Sequence, residues 1–116
     1  MNSRGRRQIR PEREKIMTKY IIKVTYLEGV HAGKVHFLDK NGYVVDDLLN
    51  NIWQEDAYTT FGRCKAVCTR KEDKNTAEAT FEKKQRERLI AEGKMVSKHP
   101  LYAMKKYEPY AVETVD

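Results

Sequence analysis

The stretch KYIIKVTYLE, residues 19–28, decides the architecture. It is dense in β-branched and aromatic side chains, which suit a pleated, half-buried surface better than a helix. At a period of two, Tyr20, Ile22, Val24 and Tyr26 share one face, and Ile21, Lys23, Thr25 and Leu27 share the other. The first face is the better core candidate, because each of its members is apolar or aromatic. Downstream, GVHAG (29–33) is a loop with glycine at both ends, and KVHFLD (34–39) reads as the returning strand. KNG (40–42) is a hairpin signal, since Asn and Gly tolerate positive φ. YVV (43–45) then supplies a short third strand. The expectation is a three-stranded antiparallel meander.

The following segment, DDLLNNIWQ (46–54), reads as a helical turn or an irregular piece packing Leu48, Leu49, Ile52 and Trp53 on the sheet. From Asp56, a good N-cap residue, a helix is expected to about Glu72, with Ala57, Phe61, Cys64 and Cys68 on its apolar stripe. RKEDKN (70–75) is expected to end it. Asn75 stands three residues before Glu78, a spacing that resembles a capping box, so a second helix is expected from Thr76 to Glu92, with Gly93 at C′. Its apolar stripe is thin (Ala77, Phe81, Leu89, Ile90), and Glu82 with Arg86 and Lys83 with Glu87 are favourable pairs four apart. This helix is therefore expected to be mostly solvated. SKHP (97–100) breaks the pattern. LYAMKKYEPYAVETV (101–115) reads as one or two strands, with Tyr102, Met104, Tyr110 and Val112 inward and Pro109 confined to an edge or bulge. The whole is a single α+β domain over residues 18–116: a three- to four-stranded antiparallel sheet, two helices on one face and the opposite face wet.

Charge is distributed unevenly over the 116 residues, whose formal net charge is +6. Residues 1–16 carry Arg4, Arg6, Arg7, Arg10, Arg13 and Lys15 against Glu12 and Glu14, a net +4. With Gly5, Pro11 and almost no apolar side chains, residues 1–17 are expected to form a disordered basic tail. The purine-rich coding possibilities of residues 12–15, just before Met17, also suggest a native start at Met17. In the folded part, residues 26–62 sum to −4, through Glu28, Asp39, Asp46, Asp47, Glu55 and Asp56, and residues 63–75 sum to +3. An acidic hairpin end and a basic helical side are thus expected. The basic side fits phosphates, and the acidic end would suit a basic groove of a nucleic-acid enzyme. Tyr107 and Tyr110 beside Lys105 and Lys106 add an aromatic–basic cluster of the kind that stacks bases.

Catalytic patterns are sparse. The chain has no Gly-rich phosphate loop before a helix, no nucleophile elbow and no His-x-x-x-His motif. Cys64 and Cys68 would share a helical face and supply two metal ligands, with His31, His36 and His99 needed to complete the set; as core thiols they need no metal. Asp46–Asp47 and Glu55–Asp56 are the other candidates for a carboxylate pair or a divalent-metal site, though acids beside turns and helix starts also serve as caps. No cofactor and no catalytic residue are expected. A run of 18 apolar residues is lacking, as is an apolar leader, so neither a spanning helix nor a secretory signal is expected and the cytoplasm is the expected location.

Residues 18–68 resemble a diffuse group of small bacteriophage and prophage accessory proteins. The resemblance rests on the meander, on the acidic-aromatic turn WQEDAY (53–58) and on Ala57, Phe61 and Ala66 in an A-x-x-x-F-x-x-x-x-A helix; the YEPYAVE ending (107–113) adds to it. It implies an accessory gene of a mobile element, similar in size and composition to anti-CRISPR inhibitors of host-defence nucleases. The expected function is accordingly non-enzymatic: binding of a host nucleoprotein, and inhibition of a CRISPR nuclease by occlusion. The expected contact surface is Arg63, Lys65, Arg70, Lys71, Lys83, Lys84, Arg86 and Arg88. The alternatives are direct, sequence-tolerant binding of DNA or RNA, and a small metal-dependent enzyme.

Overall fold

The computed structural model describes residues 16–46, 48 and 52–115. The basic tail up to residue 15, and Asp47 and Leu49, lie outside the described residues. Among the described residues, four strands and one long helix make up the fold. Strand β1 is Ile16–Tyr26 and β2 is Val35–Leu38; β3 is Ile52–Trp53, α1 is Phe61–Ala91 and β4 is Lys105–Val115. The sheet order is β2-β1-β4-β3. β1 runs antiparallel to β2, pairing Ile22 with Leu38, and antiparallel to β4 along its whole length, from Ile16 opposite Val115 to Tyr26 opposite Lys105. β3 runs parallel to β4. The sheet is therefore mixed, where the sequence pattern suggested a purely antiparallel one. Its centre is the pairing of β1 with β4, and the expected third strand at 43–45 is reduced to a bridge between Leu38 and Val44. That hairpin end is closed locally instead. The Asn41 and Tyr43 N–H groups donate to Asp39 Oδ1 at 2.8 and 3.0 Å, and Gly42 takes φ +88°.

Both faces of β1 are buried, because its two alternating sets meet different partners. Ile22 and Val24 pack under Cys64 and Cys68 of α1, with Tyr20, Tyr26, Leu38, Tyr58, Val67 and Tyr107 around them. Ile21 packs on the other side with Ile52, Ala57 and Val112, flanked by Phe37, Val45 and Leu48. The face expected to be wet is thus partly covered by the connection from β2 to α1, through Val45, Leu48, Ile52 and Ala57. Ala57, expected on the helix stripe, belongs to this second cluster. Burial of each of the three central side chains Ile21, Ile22 and Val24 is worth about 1.5–3 kcal/mol.

A single helix replaces the expected pair. It starts after Thr60, whose side chain accepts from the Arg63 N–H at 3.2 Å, and not at Asp56, which lies in a 3-10 turn at Gln54–Asp56. It continues through residues 70–75, because the side chain of Asn75 finds its partners across the fold. Asn75 Nδ2 donates to the Ala103 carbonyl at 3.0 Å, and its Oδ1 accepts from the Lys105 N–H at 2.8 Å. Asn75 therefore does not cap a helix start. The helix ends as its sequence indicates. Gly93 takes φ +81°, the Gly93 N–H donates to the Ile90 carbonyl and the Lys94 N–H to the Leu89 carbonyl, the paired bonds of a Schellman motif.

The inner stripe of α1 changes character along its length. Cys64 and Cys68 bury apolar surface; Glu72, Asn75 and Glu82 instead accept from backbone N–H groups of the returning chain. Glu72 takes the Tyr107 N–H at 2.8 Å, and Glu82 takes those of Leu101 and Tyr102 at 2.8 and 2.9 Å. From the end of β1, Glu28 takes the Met104 N–H at 3.0 Å. The helix so covers the open edge of β4. Lys105 and Tyr107 point their N–H groups at that edge, and the next position in the same row is Pro109, which has none to offer. Tyr102 and Tyr110, expected inward, are exposed, although the Tyr110 ring lies 4.8 Å from that of Phe37; Val112 is buried. Among the described residues no helix is long and apolar enough to cross a membrane.

Candidate cationic surface

Nine of the side chains on α1 are basic and five are acidic. Glu72 and Glu82 turn toward the backbone donors described above, which leaves Glu78, Asp73 and Glu87 as the other acids on the helix. Most of the basic side chains face out. Arg63, Lys65, Arg70, Lys83, Lys84 and Arg88 are exposed, and Lys71 is half-buried. At about 100° per residue, Arg63, Arg70, Lys84 and Arg88 follow one outer line over roughly 38 Å of helix, joined by Lys74 and by Phe81, which is 65% exposed.

Arg86 behaves differently. It is half-buried, and its guanidinium donates to Ser97 Oγ at 3.1 Å and to the Ser97 carbonyl, tying residues 97–102 back to the helix. Its charge also acts on Glu82. Burial alone would raise the Glu82 carboxyl, but the N–H groups of Tyr102 and Leu101 and the Arg86 charge outweigh it and hold the group below its ordinary value. The expected Glu82–Arg86 pair is therefore redirected, each partner bonding to the returning chain. At the helix end Arg88 lies 3.9 Å from Glu92, which Lys94 approaches at 3.4 Å.

Two grooves gather cations from this surface. The first, of about 420 Å³, is lined by Lys40, Tyr58, Arg63, Ala66, Val67 and Arg70. It joins one side chain from the β2 hairpin to two that are seven apart on α1. Lys40 and Tyr58 carry no signal in the linear sequence, since only folding brings the hairpin beside the helix. Two acids lie on the hairpin side: Asp39 Oδ1 accepts from two N–H groups, and its charge acts on Tyr58; Asp56 Oδ1 accepts from Asn41 Nδ2 at 3.1 Å. The Tyr58 hydroxyl is raised above its ordinary value by burial first and by the neighbouring thiols, with Arg70 acting in the opposite sense. The second groove, of about 350 Å³, lies between Ala79, Thr80, Lys83 and Arg86 of the helix and Glu28, Pro100 and Met104. It contains a carboxylate, and its arginine is already engaged by Ser97.

The eight sequence-predicted positions divide between these grooves and the rest of the helix surface. Arg63 and Arg70 share the first groove, Lys83 and Arg86 share the second, and Lys65, Lys71, Lys84 and Arg88 line neither. Elsewhere, the Tyr26 ring lies against His31 at 5.6 Å and His36 at 5.4 Å, with Lys105 Nζ 5.2 Å from its centre. Tyr107 is half-buried against β1, and its hydroxyl is raised mainly by burial. The two thiols are core groups. Cys64 Sγ donates to the Ile21 carbonyl at 3.4 Å, and burial, followed by the Cys68 thiol, pushes Cys64 up to about 12. Among the described residues no group of three or more His, Cys, Asp or Glu is placed to hold a metal ion.

Comparison with protein families, with curated proteins and with solved structures finds no match to this chain.

Proposed function

We propose that this chain is a non-enzymatic interaction protein whose cationic helix face engages the phosphates of a nucleoprotein. The observation that carries the reading is the excess of outward-facing cations on α1. Two of its five acidic side chains, Glu72 and Glu82, are engaged by the backbone of β4 and of residues 101–102, while most of its nine basic side chains are exposed. Such a surface attracts polyanions by releasing their counterions and requires no sequence-specific contact. Within this reading, inhibition of a CRISPR nuclease by occlusion is the specific role that the sequence resemblance suggests; it draws on residues 18–68 and on no contact in the structure.

A labelled duplex titrated by fluorescence anisotropy at increasing salt tests the reading. Affinity is expected to fall along a straight log–log line, with a slope of about −0.9 per phosphate neutralised. Reversing Arg63, Lys65, Arg70 and Lys71 to Glu together is expected to abolish binding. Binding that ignores both salt and the reversals would refute the surface assignment.

A further inference from the structure

We propose that the groove formed by Lys40, Tyr58, Arg63, Ala66, Val67 and Arg70 is a subsite for single-stranded nucleic acid. The inference rests on the phosphate-binding reading above and adds to it a location and a strand type. Three cations from two elements converge on a space of about 420 Å³. Arg63 and Arg70 are seven residues apart, about 10 Å along the helix axis, and Lys40 faces them from the hairpin. A strand crossing this open groove meets positive charge contributed by both the helix and the hairpin. Between the cations the lining is apolar or aromatic: Ala66, Val67 and Tyr58. A duplex keeps its bases stacked inside and offers such a surface only phosphate and sugar, so the apolar floor gains nothing from it. An unpaired base, by contrast, exchanges water for that floor while its flanking phosphates meet the cations. The second groove lacks this combination, because Glu28 lies in it and Arg86 is bound to Ser97.

The test compares a fluorescein-labelled oligothymidylate of about 20 nucleotides with a duplex of the same length, on the full chain at one salt concentration. The single strand is expected to bind about tenfold tighter. The double variant Arg63→Ala/Arg70→Ala, and Lys40→Ala alone, are expected to weaken the single strand about tenfold and about threefold. Lys84→Ala/Arg88→Ala, on the same cationic face but outside the groove, is expected to weaken single strand and duplex alike, by about threefold. All of these side chains are exposed, and an unchanged circular dichroism melt checks the fold of each variant. Equal or tighter binding of duplex, or a loss of single-strand binding in the Lys84/Arg88 variant as large as in the Arg63/Arg70 variant, overturns the subsite and leaves the phosphate-binding reading standing. No binding of either nucleic acid overturns that reading itself.

Discussion

Asn75 is buried in the middle of a helix, a place where an unpaired amide would be costly. It is tolerated because both of its polar atoms are used across the fold, on Ala103 and Lys105. Asn75→Leu would orphan a buried carbonyl and a half-buried N–H together, and is expected to cost about 2–4 kcal/mol in urea unfolding. Thr76→Ala, one residue further on the exposed side, is expected to stay within about 0.5 kcal/mol. Cys64 makes a second residue-scale prediction. With its thiol near 12, the thiolate is scarce at pH 8, and alkylation is expected to be slow in the native state and fast in denaturant. His36 supplies a third. Burial, and then Lys105, lower it from its ordinary value of 6.5, so the unfolded chain binds its proton more readily. Its contribution to stability is full above pH 6.5 and is lost as pH falls through the lower folded value. His36→Gln is expected to flatten the stability profile between pH 7 and 5, measured as urea midpoints.

At the scale of elements, legibility followed the kind of interaction involved. The β1 strand and its alternation were readable because apolar periodicity is written locally, and Gly93 was readable because a helix stop needs only one residue able to adopt positive φ. The continuity of α1 was not. Its second half is held by Glu72, Asn75 and Glu82 binding distant backbone donors, and hydrophobic periodicity does not register a stripe of acceptors. A local capping signature at Asn75 and Glu78 then outweighed the even helix propensity of residues 69–80. The mixed sheet was hidden for a related reason, since β3 is two residues long and its parallel partner lies some sixty positions away. The cationic helix was legible as composition, whereas the groove was not, because Lys40 and Tyr58 join it only in three dimensions. Gly93→Ala is expected to lower stability by about 1–2 kcal/mol through strain at φ +81°. Gly62→Ala, in open space on the first turn, is expected to raise it by about 0.5 kcal/mol.

For the molecule as a whole, one division of labour stands out. The sheet carries the apolar core, and the far half of the helix is fastened by side chains that accept hydrogen bonds. Acid should therefore attack the two halves unequally. Glu82 sits below its ordinary value, so its contribution is present above pH 4.5 and disappears as pH falls through its lower folded value. Hydrogen exchange at decreasing pH is expected to show residues 97–104 losing protection before β1 does. Simultaneous loss across both regions would argue for a single cooperative unit.

The pairing of Ile16 with Val115 has a consequence for how the polypeptide is made. During vectorial synthesis β1 leaves the ribosome long before its principal partner exists, and the entropy of closing so long a loop has to be met before any rung of that ladder forms. In the interval an apolar strand stands with both edges open to other nascent chains. Lys19 and Lys23, spaced through that strand, place charge where an intermolecular ladder would otherwise grow, a gatekeeping arrangement that protects the segment until the chain can close on itself.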